Sequence, residues 1–139
     1  MSDPGSIVGV VSLLLQSLQG LYQYYVDYRN QSEDFRIILT QIQRARAIIV
    51  ILDTPIRYLL REGEPLSTEV QSCIASCNEA QRRLAVHLKR LTESCGRKGT
   101  IPLGKRLLYP FRKSTLVDLQ KQLARLFNNL QILMHALHL

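Results

Sequence analysis

The sequence has no tryptophan, only five prolines and only seven glycines among 139 residues. So small a supply of breaker residues excludes collagen-like and low-complexity chains and leaves room for long uninterrupted elements. No run alternates apolar and polar residues with period two, so strands find no support. Cysteine is scarce and odd in number: Cys73, Cys77 and Cys95. That argues against a secreted disulfide scaffold and for a reducing compartment. Cys73 and Cys77 share one helix face, and His87 is the only histidine near them. Small residues in a helix seam are the simpler reading than a zinc site.

Catalytic equipment is also missing. There is no G-x-x-x-x-G-K-[ST] loop, no H-E-x-x-H, no G-x-S-x-G and no pair of carboxylates placed for acid–base work. His87, His135 and His138 are scattered, and only Glu93 and Asp118 are acidic beyond residue 82. The sequence therefore reads as a non-enzyme, with no cofactor, no metal and no small-molecule substrate.

From Pro4 to Val26 the chain carries no charge. Ile7, Val11, Leu14, Leu18, Leu21 and Tyr25 make one stripe at 3–4 residue spacing. Val8, Leu13 and Leu15 lie off it, so the first half of the segment is apolar nearly all round. Such a helix is deeply buried or faces lipid, and its length reaches the ~20 residues that cross a hydrocarbon core. Three serines and three glutamines make it a poor permanent span. Asp3 stands where a signal peptide has its positive region. Gly5 and Gly9 form a G-x-x-x-G, a short and common motif. Burial in one state and release in another are compatible.

The net charge of +7 is unevenly spread. Residues 1–81 hold six basic and nine acidic residues; residues 82–139 hold twelve basic and two acidic. The junction 97–113 carries Arg97, Lys98, Lys105, Arg106, Arg112 and Lys113 with no acid. A basic face suits anionic lipid, nucleic acid or an acidic protein, or serves only solubility. The tyrosines Tyr22, Tyr24, Tyr25 and Tyr28 sit on the first helix, away from this junction, so no basic-aromatic platform for nucleic acid is apparent. They resemble an interfacial aromatic belt or pack at the bundle edge.

The spacing predicts helices over 6–29, from about residue 33, from Ser67 to Gly96, and from Ser114 onward. Ser32, Ser67 and Ser114 are the expected N-caps. Phe35, Ile38, Leu39, Ile42, Ala45, Ile49 and Leu52 stripe the second helix. Pro55 is expected to break or kink it, with Thr54 capping a short continuation, Ile56–Arg61. Val70, Ile74, Cys77, Leu84, Leu88, Leu91 and Cys95 form the third seam, interrupted by Gln81. Leu116, Leu119, Leu123, Leu126, Leu130, Leu133 and Leu137 form the fourth. These faces pack most simply as one all-α, four-helix-bundle-like domain over 1–139, with a short extra helix before the last one.

Two blocks carry a family resemblance. Met1-Ser2-Asp3-Pro4 with Ser6–Leu13, Gln19-Gly20-Leu21 and Tyr24-Tyr25 resembles the start of fungal HeLo-like domains. Arg106-Leu107-Leu108-Tyr109-Pro110-Phe111-Arg112-Lys113-Ser114-Thr115-Leu116 resembles that family's signature before its last long helix. Such domains stand at the N-terminus of fungal STAND (NLR-like) proteins. The resemblance implies a HeLo-type helical bundle and a cell-death effector that oligomerises on activation. It implies a cytoplasmic protein that moves to the plasma membrane and permeabilises it through its N-terminal helix. By matching position, Ile7, Val8, Gly9, Val10, Val11, Leu13, Leu14 and Leu15 would enter the membrane. Arg97, Lys98, Lys105, Arg106, Arg112 and Lys113 would meet anionic lipids. No nucleotide-binding module, repeat array or amyloid-forming motif is seen here. That leaves open an excised domain or an activator supplied by another protein. The alternative is a non-lytic helical module that recruits or regulates signalling partners.

Overall fold

Among the residues described by the computed structural model (4–63, 65–95 and 112–138) there are four long helices and no strand. They are α1 (Pro4–Tyr25), α2 (Glu33–Arg61), α3 (Thr68–Cys95) and α4 (Lys113–Ala136), with one turn of 3-10 helix at Val26–Tyr28. The all-α bundle expected from the periodicity is the fold. The expected short helix before α4, the Gly96 stop and most of the 97–113 junction lie outside the described residues.

Each helix buries most of the stripe its spacing marks, except that on α1 Val10 takes the core place expected of Val11, which is half-buried. Ile7, Val10, Leu14, Leu18, Leu21 and Tyr25 of α1 are buried, as are Phe35 through Ile56 at 3–4 residue steps on α2. Leu116, Leu119, Leu123, Leu126, Leu130 and Leu133 do the same for α4. On α3 the seam includes Cys73, Ala80, Gln81 and His87 as well as the aliphatic residues, and Leu88 is only half-buried.

α1 and α4 each pack against α2 and α3, so α1–α4 and α2–α3 face each other diagonally. A void of about 20 Å³ fixes the direction of each chain segment. It is lined by the start of α1 (Ile7, Val10), the end of α2 (Leu52, Ile56), the start of α3 (Ile74, Cys77) and the end of α4 (Leu130, Leu133). The helices therefore run up, down, up, down.

The ends follow local chemistry, with three corrections. Ser67 caps α3 as expected, its Oγ accepting from the Val70 N–H at 3.2 Å. Ser32 stands at the N-cap of α2, but its side chain makes no capping bond. α4 begins two residues before a Ser114 cap would place it, at Lys113, with Arg112 at the N-cap position and no side-chain cap, so Ser114 lies inside the helix. The first helix turns 3-10 after Tyr25 and does not run to residue 29 as α-helix.

Pro55 does not end α2, which runs on to Arg61, so Thr54 caps nothing. The missing N–H leaves the Ile51 carbonyl without its donor, but that residue faces solvent. Leu52 and Ile56, buried on either side of the proline, hold the segment to the core. The helix stops instead at Gly63, whose φ of +69° suits glycine.

α1 and α3 approach closely at Gly20. A Cβ placed there would lie 2.6 Å from Leu88 Cδ2. Gly20→Leu should cost about 1–3 kcal/mol through overpacking, measured by urea denaturation. Leu126→Ala, in a fully buried position, should cost about 2–5 kcal/mol in the same assay. An unchanged midpoint would contradict the α4 seam.

Candidate functional site

The proposed membrane-entering residues divide three ways. Ile7, Val10 and Leu14 are buried in the core. Val8, Gly9, Val11 and Leu15 are half-buried, and Leu13 is 45% exposed. The segment is thus stowed, with its stripe turned toward α2 and α3. Among the described residues no helix is long and apolar enough to cross a membrane. The length of the uncharged run does not suffice, because its glutamines, serines and tyrosines lower its mean hydropathy.

The tyrosines close the far end of α1. Tyr25 is fully buried and meets Tyr24 edge-on, ring centroids 5.1 Å apart. Phe35, at the start of α2, lies 5.8 Å from Tyr25 and 6.1 Å from Tyr28. Tyr22 accepts a hydrogen bond from Gln43 Nε2 at 3.3 Å, and the Arg46 guanidinium stands 6.0 Å from its ring centroid. In this state they join α1 to α2 at the bundle edge.

Of the six basic residues, Arg97, Lys98, Lys105 and Arg106 lie outside the described residues. Arg112 and Lys113 are exposed. Lys113 Nζ is 2.7 Å from Asp34 Oδ2, and Gln120 Nε2 donates to Asp34 Oδ1 at 3.1 Å. Gln41 Nε2 completes the clamp, donating to the Gln120 carbonyl at 3.2 Å. The clamp ties the start of α2 to the start of α4. Hydrogen bonds from Lys113 and then Gln120 hold the Asp34 carboxyl below its ordinary range. Ile7–Leu15 occupy the opposite end of the bundle, roughly 20 Å along its axis. Among the described residues, Arg112 and Lys113 therefore lie away from the proposed membrane-entering segment.

Neither described thiol is poised as a nucleophile. Burial, and then Cys73, push the Cys77 thiol up to about 12; burial and Glu69 raise Cys73. His87 is buried on α3, and desolvation lowers its pKa to about 4. Asp118 opposes that shift and Arg90 adds to it.

One surface was not anticipated as a site. On α2, Val50 (64% exposed), Ile51 (55%) and Tyr58 (56%) make an outward apolar strip. Arg44 and Arg61 flank it on the same face, and Arg57 beside it is paired with Asp53 at 2.9 Å. The sequence signal is the consecutive Val50-Ile51, which no single helix stripe can bury.

No family model matches this sequence, and no solved structure matches it. The azaphilone pigments biosynthesis cluster protein L of Monascus ruber is 31% identical over 142 residues. The alignment takes in 99% of this chain and 30% of that protein, so the chain spans under a third of the length of this curated relative.

Two titrations check these assignments. Asp34 has a lowered folded pKa, so its contribution is complete above the ordinary carboxylate value and fades as pH falls below it. Asp34→Asn should cost about 0.5–1 kcal/mol at pH 7, the range for an exposed pair, and the difference should shrink by pH 2. His87 also titrates lower in the fold than in the unfolded chain. Its contribution is complete above the unfolded value of 6.5 and is lost as pH falls toward about 4. Urea midpoints should show a loss of roughly 2–3 kcal/mol over that window, and His87→Gln should remove that part of the slope.

Proposed function

We propose that this chain is a cell-death effector module that keeps a membrane-active helix folded away until activation. The observation that carries the reading is α1: 22 residues without a charge, seated in the slot between α2 and α3. Releasing α1 strips six buried apolar side chains from the bundle, a cost on the order of 10 kcal/mol. A cost of that size exceeds thermal opening and makes a trigger necessary. A bilayer interface returns much of it, and no charged side chain on α1 opposes the transfer. Since no described helix suits a solitary span, α1 acts in numbers, as part of a homo-oligomer. Release also frees it from lying at the opposite end from Arg112 and Lys113, which then hold the bundle to anionic lipids of the plasma membrane. An upstream STAND-type activator in the cytoplasm would supply the trigger.

A second reading, a non-lytic interaction module, is favoured by the outward strip of α2. It is also favoured by the relative whose name ties it to a pigment gene cluster, in which the matching stretch is a minor part of the chain.

Dye release from phosphatidylserine vesicles separates the readings. The purified chain should release dye once α1 is loosened, for example near its thermal transition. Leu13→Lys is the informative variant, because Leu13 is exposed and the fold should survive. The ~2.5–3.5 kcal/mol cost of a lysine in mid-membrane should cut release at least tenfold. Absence of release by the parent, or release unchanged in the folded variant, decides for the interaction module.

A further inference from the structure

A groove of about 350 Å³ opens between the second half of α3 and the start of α4, on the outer face of the bundle. Its walls carry Arg82, Arg83 and Arg90 from α3 and Asp118 and Gln122 from α4, with His87 as the floor. We propose that this groove binds a small phosphate ester that also carries hydroxyl groups.

The arginines supply the anion-binding half. Arg82 and Arg90 have no ion-pair partner among the described residues, and both are exposed at the groove. Arg83 uses its Nε on Glu79 at 3.4 Å, which leaves its terminal nitrogens. Guanidinium forks match phosphate oxygens in pairs, which a point charge does not. Positions 82, 86 and 90 share one face of α3, so Arg82 and Arg90 stand on either side of Val86 along the groove. Val86, half exposed, offers an apolar surface to a carbon skeleton.

The α4 wall supplies the other half. Gln122 Nε2 donates to Asp118 Oδ2 at 2.7 Å, which fixes the amide with its oxygen turned the other way. That oxygen, Gln122 Oε1, is buried and out of a ligand's reach, which leaves Asp118 as the acceptor on this wall. Asp118 has no ion-pair partner among the described residues. The exposed Asp118 carboxylate on this wall repels a bare polyanion and calls for an O–H donor. A ligand with phosphate at one end and hydroxyls at the other meets both walls. The buried His87 stays neutral at physiological pH, so the floor adds no charge. Leu84 and Leu91 on α3, with Leu119 and Leu123 on α4, are fully buried and hold the walls rigid. The volume falls within the range of small-molecule sites.

The same chemistry exists free, as a sugar phosphate, or on a membrane, as a phosphoglycerol headgroup. Backbone amide spectra of the full chain can be titrated with glucose 6-phosphate, inorganic phosphate and phosphatidylglycerol vesicles. Saturable shifts at residues 79–90 and 118–122 with glucose 6-phosphate are expected, at least about tenfold tighter than with inorganic phosphate. Arg82→Gln with Arg90→Gln should weaken binding about tenfold or more, with an unchanged melting temperature because both side chains are exposed. Asp118→Asn, which removes the charge that repels a bare polyanion, should erase most of the preference over inorganic phosphate. Groove shifts with the vesicles alone, lost in the double variant, would assign the headgroup as the source. The proposal is overturned if neither ester shifts the groove up to about 10 mM, if inorganic phosphate binds equally well, or if the folded double variant binds like the parent.

Discussion

The uncharged stripe of α1 lies in a slot between α2 and α3, and the rest of the bundle is arranged around that contact. α4 lies diagonally across from α1, meeting it only at the core; it closes the other side of α2 and α3 and so keeps the slot shaped. Removing α1 would leave Ile49, Leu52, Ile74 and Cys77 facing water. The stripe and the slot are each poor surfaces in water, and only their contact makes either tolerable. Close approach at Gly20 tightens the α1–α3 side, while the Tyr25–Phe35 stack tightens the α1–α2 side.

Polar groups are placed where that apolar contact leaves freedom. The Asp34–Lys113–Gln120–Gln41 clamp joins α2 to α4 at their N-terminal ends, where leucine periodicity alone would permit sliding by a turn. Its energy is modest, since Lys113 is mostly exposed. Its contribution is to register. Surface pairs such as Arg36–Glu33 and Arg83–Glu79 stay within single helices and do not bear on how the helices meet.

The distribution of function follows from the same division. The core end of α1 is the least polar part of the molecule, and the described basic residues of the former junction, Arg112 and Lys113, lie at the other end. Any mechanism that uses both on one bilayer requires the bundle to open. A function carried by the outer faces, whether the α2 strip or the α3–α4 groove, requires no opening. The energetic cost of moving α1 is what separates these two modes.

Local spacing was enough to read four helices, their buried stripes and the cap at Ser67, because periodicity and capping are properties of neighbouring residues. It was also enough to exclude strands. Pro55 does not break α2, because its local penalty is smaller than the packing of Leu52 and Ile56 on partners far away in the chain. Nothing near Lys113 in sequence reveals its ion pair with Asp34, 79 residues distant. The diagonal placement of α1 and α4, the exposure of Leu13 beside the burial of Leu14, and the placing of Arg82 and Arg90 in one groove with Asp118 and Gln122 belong to the tertiary structure. Each depends on which stripe meets which, and an amphipathic helix specifies that it must be covered but not by whom.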